Sequence, residues 1–394
     1  MPLLDPLRAL SHKREQIFGQ GDETDPFGVP VEEVHSATEA RLDGRSVVMA
    51  GTNNYLGLTF DPDCLAAAHE ALDHAGTGTT GSRMANGTYA YHLDLEAELA
   101  DFFERRSAIV FSAGYLANLG MIGALVHKGD VAMIDGDCHA SIYDGCALSG
   151  ADVIRFRHSD PENLRRRLDR LGDRASSTLI IVEGIYSMLG DRAPLTEIVG
   201  LKKQYGCYLM VDEAHSMGVL GDHGRGLAEE TGTEEDVDFV VGTFSKSLGG
   251  VGGFCVSNHV ELDSVRFASR PYIFTASPPP SVVASTRAAL RSLVAKPELR
   301  TRLWENAHHL YSRLEELGYR LGPEVSPVIA ASFDTADEAV SFWRGLVDHG
   351  VYVNLMIPPA TPGGESLVRC SVSAAHTPEQ MDRICEAFAL LRNE

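Results

Sequence analysis

Val211-Asp212-Glu213-Ala214-His215-Ser216 closes the apolar run that starts at Tyr208, and Gly242-Thr243-Phe244-Ser245-Lys246-Ser247 closes a second one, Phe239–Val241. Both runs lack polar alternation, which suits strands covered by helices on both faces. Working outward, Ser107–Phe111, Val131–Ile134, Thr178–Val182 and Gly253–Val256 repeat the pattern. From about Asp61 to Phe274 these runs alternate with helical stretches. That order predicts βαβ units and a largely parallel sheet, an α/β fold.

Three regions are expected. Residues 1–45 form an N-terminal arm, with a short amphipathic helix (Leu4, Leu7, Leu10 against Lys13, Arg14, Glu15) and an Asp-Pro-Phe-Gly turn. Residues 46–280 form the large domain, ending at the Pro-rich Ser277–Pro280. Residues 281–394 form a smaller α+β C-terminal domain that opens with a long helical stretch near Val282–Leu317. Its last helix has a full start signal: Thr377 as N-cap, Pro378 at the first position and Gln380 as capping-box partner. Arg165, Arg166, Arg167 and Arg170 make a basic run that reads as a solvated helix face.

The balance of 55 acidic against 34 basic residues gives a net charge of −21, which works against binding nucleic acid or anionic membranes. Seven scattered cysteines, without Cys-x-x-Cys or Cys/His metal spacing, predict reduced thiols and no metal site. No apolar stretch approaches the roughly 18–20 residues of a membrane span, and the polar start carries no export signal. A cytoplasmic enzyme is expected.

Asp212 carries the chemistry. A carboxylate at the end of so apolar a strand costs free energy unless a cation or several donors meet it, and ligand sites of open α/β sheets gather at strand ends. The pyridinium nitrogen of pyridoxal phosphate is such a cation, and Lys246, in a small-residue loop, suits the amine that binds this cofactor covalently. Taken singly, Asp212 could cap its strand and Lys246 could face solvent. Three more strand ends bear polar groups: Ser112-Ala113-Gly114-Tyr115, Asp137-Cys138-His139-Ala140-Ser141, and Glu183 to Asp191. The first could offer helix N–H groups to a phosphate, although such turns also serve packing. His139 could be a core histidine or could stack on a ring. The convergence of four polar strand ends predicts a cofactor site.

With Asn53-Asn54-Tyr55-Leu56-Gly57, Gly81-Ser82-Arg83 and Arg369 added, the chain resembles the α-oxoamine synthases over nearly its whole length. The wording of Arg155-Phe156-Arg157-His158 and Arg270–Ser277 is most similar to the bacterial serine palmitoyltransferase subgroup. The resemblance implies the fold-type I pyridoxal-phosphate transferase architecture, like that of aspartate aminotransferase. Lys246 would bind the cofactor and move the substrate α-proton. Asp212 would pair with the pyridinium, His215 with the phenolic oxygen, and His139 would stack on the ring. Gly114, Tyr115, Thr243 and Ser245 would hold the phosphate, with Thr275 and Ala276 reaching over from a second subunit of a homodimer. Glu183 and Ser187 belong to the cofactor segment. Asn54 and Arg369 would bind the amino acid.

The implied reaction is a decarboxylative condensation of an amino acid, L-serine foremost, with a long-chain acyl thioester. Another amino acid or a carrier-protein donor is the second reading, amino transfer on the same scaffold the third, and a non-catalytic partner subunit the fourth. One departure stands out: Ile357, in Asn354–Pro362, replaces the arginine usual in the subgroup and can offer neither charge nor donors.

Overall fold

Seven strands form one sheet in the order Ser107–Phe111, Gly253–Ser257, Phe239–Thr243, Tyr208–Asp212, Thr178–Glu183, Val131–Asp135 and Asp152–Phe156. The computed structural model describes residues 2–18, 25–358 and 361–392. Six of these strands are those expected. Asp152–Phe156 is an addition: it lies at the sheet edge with only Phe156 fully buried, so its charged, alternating sequence lacks the apolar signature. Every residue of Val131–Asp135, Thr178–Glu183 and Phe239–Thr243 is buried, as two covered faces require. Gly253–Ser257 runs antiparallel to both neighbours, and the remaining pairs are parallel. Phe111, Asp135, Phe156, Glu183, Asp212 and Thr243 therefore end their strands along the same side of the sheet, and Gly253 starts there.

The opposite sheet edge, Ser107–Phe111, would leave backbone groups open to pairing with another strand. Side chains close it. Arg266 donates to the Ala108 carbonyl (2.8 Å), Arg83 donates to the Val110 carbonyl (3.2 Å), and Glu96 accepts the Val110 N–H (2.9 Å). Glu96 also pairs with both arginines, lying 2.9 Å from Arg83 and 3.0 Å from Arg266. Both guanidiniums approach the Tyr272 ring, at 5.3 and 5.6 Å from its centroid. Removing one partner of a buried ion group strands the others. Glu96→Gln is therefore expected to cost about 3–5 kcal/mol, read as a lowered midpoint in urea unfolding at unchanged slope.

The chain divides into two compact units, Asn53–Ser187 with Asp191–Arg302, and Met1–Thr52 with Met188–Gly190 and Leu303–Glu394. These units depart from the domain limits expected at 45 and 280, for two physical reasons. Helix Pro280–Ala295 packs on helix Pro62–Ala75 of the larger unit, and Lys296 bonds the Asp61 carboxylate at 2.8 Å. Pro297, which lacks an N–H and clashes with a preceding turn, separates it from Glu298–Glu316, so the single long helix expected there is two.

In the smaller unit, Val31–Val34, Glu39–Leu42 and Arg45–Met49 are not a free arm. They form a four-stranded sheet with Val351–Tyr352, which pairs parallel to Val48 and Met49. The helix Asp5–Phe18 and the turn at Asp25-Pro26-Phe27-Gly28 are present. A second sheet orders Val328–Phe333, Ser366–Ser371 and Asn354–Met356. The final helix, Pro378–Arg392, carries its reciprocal cap: Gln380 N–H to Thr377 Oγ1 (3.3 Å) and Thr377 N–H to Gln380 Oε1 (3.1 Å). Pro359 and Ala360, in the segment with Ile357, lie outside the described residues. Among the described residues no helix is long and apolar enough to cross a membrane.

Candidate active site

Asp212 is buried where its strand ends. Its Oδ1 accepts the Ala214 N–H (3.0 Å), and its Oδ2 accepts the side-chain amide of Asn118 (2.7 Å). Beside it in register, at the end of the next strand, stands Glu183. Burial, and then the Asp212 charge, push the Glu183 carboxyl well above the usual carboxylate range. Two acids side by side in a dry site cannot both ionise cheaply, and Glu183 is the one whose charge is disfavoured. Glu183 also accepts the backbone N–H of His139.

His139 caps helix Ala140–Ser149. Its Nδ1 accepts the Ser141 N–H (3.2 Å) and faces the Ser141 hydroxyl (2.8 Å). Burial lowers its pKa; Asp212 opposes this and Lys246 reinforces it, so the ring is held neutral. The Lys246 charge acts on both His139 and Glu183, which sets the half-buried lysine in the same cluster. His215, also buried, bonds the hydroxyl of fully buried Tyr55 through Nδ1 (2.6 Å).

At the other end of the cluster, helix Gly114–Leu125 starts from extended Ala113 with no side chain capping it, so its first N–H groups can meet an anion. A Cβ on Gly114 would come within 2.8 Å of the Thr243 side chain; only glycine lets the helix end sit this close. Thr243 Oγ1 lies 2.9 Å from Ser245 Oγ, and Ser245 is exposed. Tyr115 can offer its backbone N–H here, while its phenol donates to Asp144 and its ring meets His139 edge-on at 6.4 Å between centroids. Ala276 bridges Ser82, and its carbonyl accepts the Ser112 hydroxyl of the same chain, with Thr275 half-buried beside it. Ser187 is buried after the Thr178–Glu183 strand. The donor set, the unshared helix start and the buried anion fit pyridoxal phosphate from phosphate to ring nitrogen.

A third histidine braces this site. His158 donates to Asp135 (2.8 Å) and Asp191 (2.7 Å); burial opposes its charge, but the two carboxylates raise its pKa to about 10. Asp135 also accepts the Asp137 N–H (2.9 Å), which pins the turn leading to His139.

Asn54 donates to Thr59 Oγ1 (2.8 Å). Arg369 belongs to the smaller unit, buried in Ser366–Ser371 opposite Ala330 and Asn354. Ile357 follows the Asn354–Met356 strand and is half-buried. The Arg165 end of the basic run is locally neutralised by Glu162 and Asp169. The sequence reading did not single out Asn118, although one signal exists: it is the lone amide in the apolar helix Gly114–Leu125.

Residues 45–388 match the family model for aminotransferase class I and II. The chain belongs to that family. Within it, this α-oxoamine synthase is 57% identical over 363 residues to a serine palmitoyltransferase of Caulobacter vibrioides, covering 92% of this chain and 90% of the relative. It is 39% identical to an 8-amino-7-oxononanoate synthase of Lysinibacillus sphaericus, over 91% of this chain and 92% of that one. A solved serine palmitoyltransferase structure with bound pyridoxal phosphate superposes with a TM-score of 0.96 at 48% identity, covering 99% of this chain and 98% of that chain. The α-oxoamine synthase is thus a pyridoxal-phosphate-dependent acyltransferase of fold type I.

Proposed function

We propose that this enzyme condenses L-serine with a long-chain acyl thioester of the palmitoyl-CoA type, giving a 3-keto sphingoid base, the free thiol and carbon dioxide. The observation that carries this reading is the 57% identity to a serine palmitoyltransferase across 92% of the chain. When bound, pyridoxal phosphate supplies an electron sink for the carbanion at the amino-acid α-carbon. Asp212 keeps the ring nitrogen protonated, and His215, fixed by Tyr55, bonds the phenolic oxygen. Neutral His139 lies against the ring face without adding a second positive charge. Gly114 and Tyr115 N–H groups, Thr243 and Ser245 hold the phosphate, while Glu183 and Ser187 line the cofactor segment. Lys246 takes the α-proton and later returns one. Arg369, with Asn54, holds the serine carboxylate as a bidentate fork.

The site belongs to a cytoplasmic homodimer in which Thr275 and Ala276 of one protomer complete the phosphate site of the other. Tyr115, Val251 and Phe274 support this reading, since all three are exposed apolar or aromatic side chains in segments carrying or flanking cofactor residues.

With Ile357 offering no charge, the carboxylate depends on Arg369. Arg369→Ala is expected to raise KM for serine by roughly 10- to 150-fold, the equivalent of about 1.5–3 kcal/mol for a charged hydrogen bond, with KM for the acyl donor little changed. The reaction itself is tested by mass spectrometry of products from the purified enzyme, pyridoxal phosphate, L-serine and palmitoyl-CoA. A 3-keto sphingoid base supports the proposal. Faster product formation from glycine or alanine than from serine would overturn the choice of amino acid.

A further inference from the structure

Asn118 projects from helix Gly114–Leu125 and is buried. Its side-chain nitrogen lies 2.7 Å from Asp212 Oδ2 and 2.9 Å from Ser141 Oγ, so both amide hydrogens are used. Turning the amide over would set its oxygen against the Asp212 carboxylate; the carboxylate therefore fixes which end is which. Ser141 Oγ, accepting from Asn118, has one hydrogen left to give, and His139 Nδ1 lies 2.8 Å away. The Ser141 N–H converges on the same nitrogen. Nδ1 thus accepts, and the ring proton sits on Nε2.

We infer that Asn118 is a positioning residue, holding the Asp212 carboxylate and the His139 ring in one hydrogen-bonded frame with a single direction of donation. This rests on the cofactor site described above, with Asp212 facing the ring nitrogen and His139 the ring face. Both groups touch the cofactor, and Asn118 touches both through at most one hydroxyl. It sets the charge-bearing oxygen and the histidine tautomer together, although the residues come from three separate strand-to-helix connections.

Asn118→Ala removes the donor to Asp212 and frees the Ser141 hydroxyl to rotate. Asn118→Asp keeps the volume, yet opposes a second carboxylate to Asp212 and invites the Ser141 proton away from His139. A purely packing role makes Asp the milder change; the inference makes it the more severe.

The experiment titrates cofactor-stripped enzyme with pyridoxal phosphate for each variant and reads the His139 tautomer by imidazole 15N chemical shifts. Expected are a loss of cofactor affinity above tenfold in Asn118→Asp, exceeding that in Asn118→Ala, and departure of His139 from a single Nε2–H tautomer in both. Affinities within twofold of the parent enzyme, with unchanged His139 shifts, would overturn the inference. Should Asn118→Asp not fold, the His139 shifts in Asn118→Ala decide alone. Failure of the unsubstituted enzyme to bind pyridoxal phosphate would overturn the site reading itself, a distinguishable result.

Discussion

Lys246→Ala is expected to abolish product formation while leaving the fold in place. The loop that carries the lysine is held by groups other than its side chain: Phe244 N–H to Gly252 O (3.0 Å), Gly250 N–H to Phe244 O (2.8 Å), and Ser247 Oγ to Met217 O (2.6 Å). Truncating a half-buried side chain on such a loop changes stability little, within about 1 kcal/mol. Function loses two contributions at once, covalent capture of the cofactor and proton transfer at the α-carbon. Proton transfer by a positioned group alone contributes about 10²- to 10⁴-fold, so the combined loss should exceed roughly 10⁴-fold. Product detection by mass spectrometry, paired with a thermal melt by circular dichroism, makes the check. Retention of more than a trace of product by a folded variant would remove Lys246 from the mechanism.

Asp212→Asn should be the second most damaging change. The substitution is nearly isosteric, yet both carboxylate oxygens now accept from N–H donors, Ala214 on one side and Asn118 on the other. An asparagine there must turn its own NH₂ toward one of those donors. The charge that keeps a ring nitrogen protonated also disappears. Preorganised charge of this kind is worth about 10²–10³ in kcat, and that loss is expected at saturating cofactor. Glu183 gives an internal control. Because the Asp212 charge raises the Glu183 pKa, removing it should let Glu183 ionise at lower pH than before. Activity within tenfold of the parent would mean that Asp212 is not the counter-charge.

The large sheet was legible because its central strands are uninterrupted apolar runs, three of which end in an acid: Asp135, Glu183 and Asp212. Asp152–Phe156 was not, since an edge strand with two charged residues has no such contrast. The compact units differ from the expected limits for a different reason. Val48 pairs with Val351, a contact over some three hundred residues that no local pattern announces. The break at Pro297 was available in the sequence, whereas the expected helix ran straight through it. In the site, Asp212, His139, Glu183 and Lys246 could be singled out by strand-end position, and His215 by the family resemblance. Asn118 could not, because its meaning depends on Asp212 and Ser141 arriving from other connections.

Gly253–Ser257, the reversed strand of the large sheet, has a consequence for redesign. The lysine-bearing segment leaves one strand at Thr243 and re-enters its immediate neighbour at Gly253, residues that face each other in the ladder. It is a hairpin, anchored at two points about 4.8 Å apart, while the strands ending at Asp135, Glu183 and Asp212 run on into helical connections. Inserting or deleting residues in Phe244–Gly252 would shift the amine relative to the carboxylate without altering strand register. Nucleophile placement in this scaffold is an adjustable parameter, separable from the framework that holds the ring.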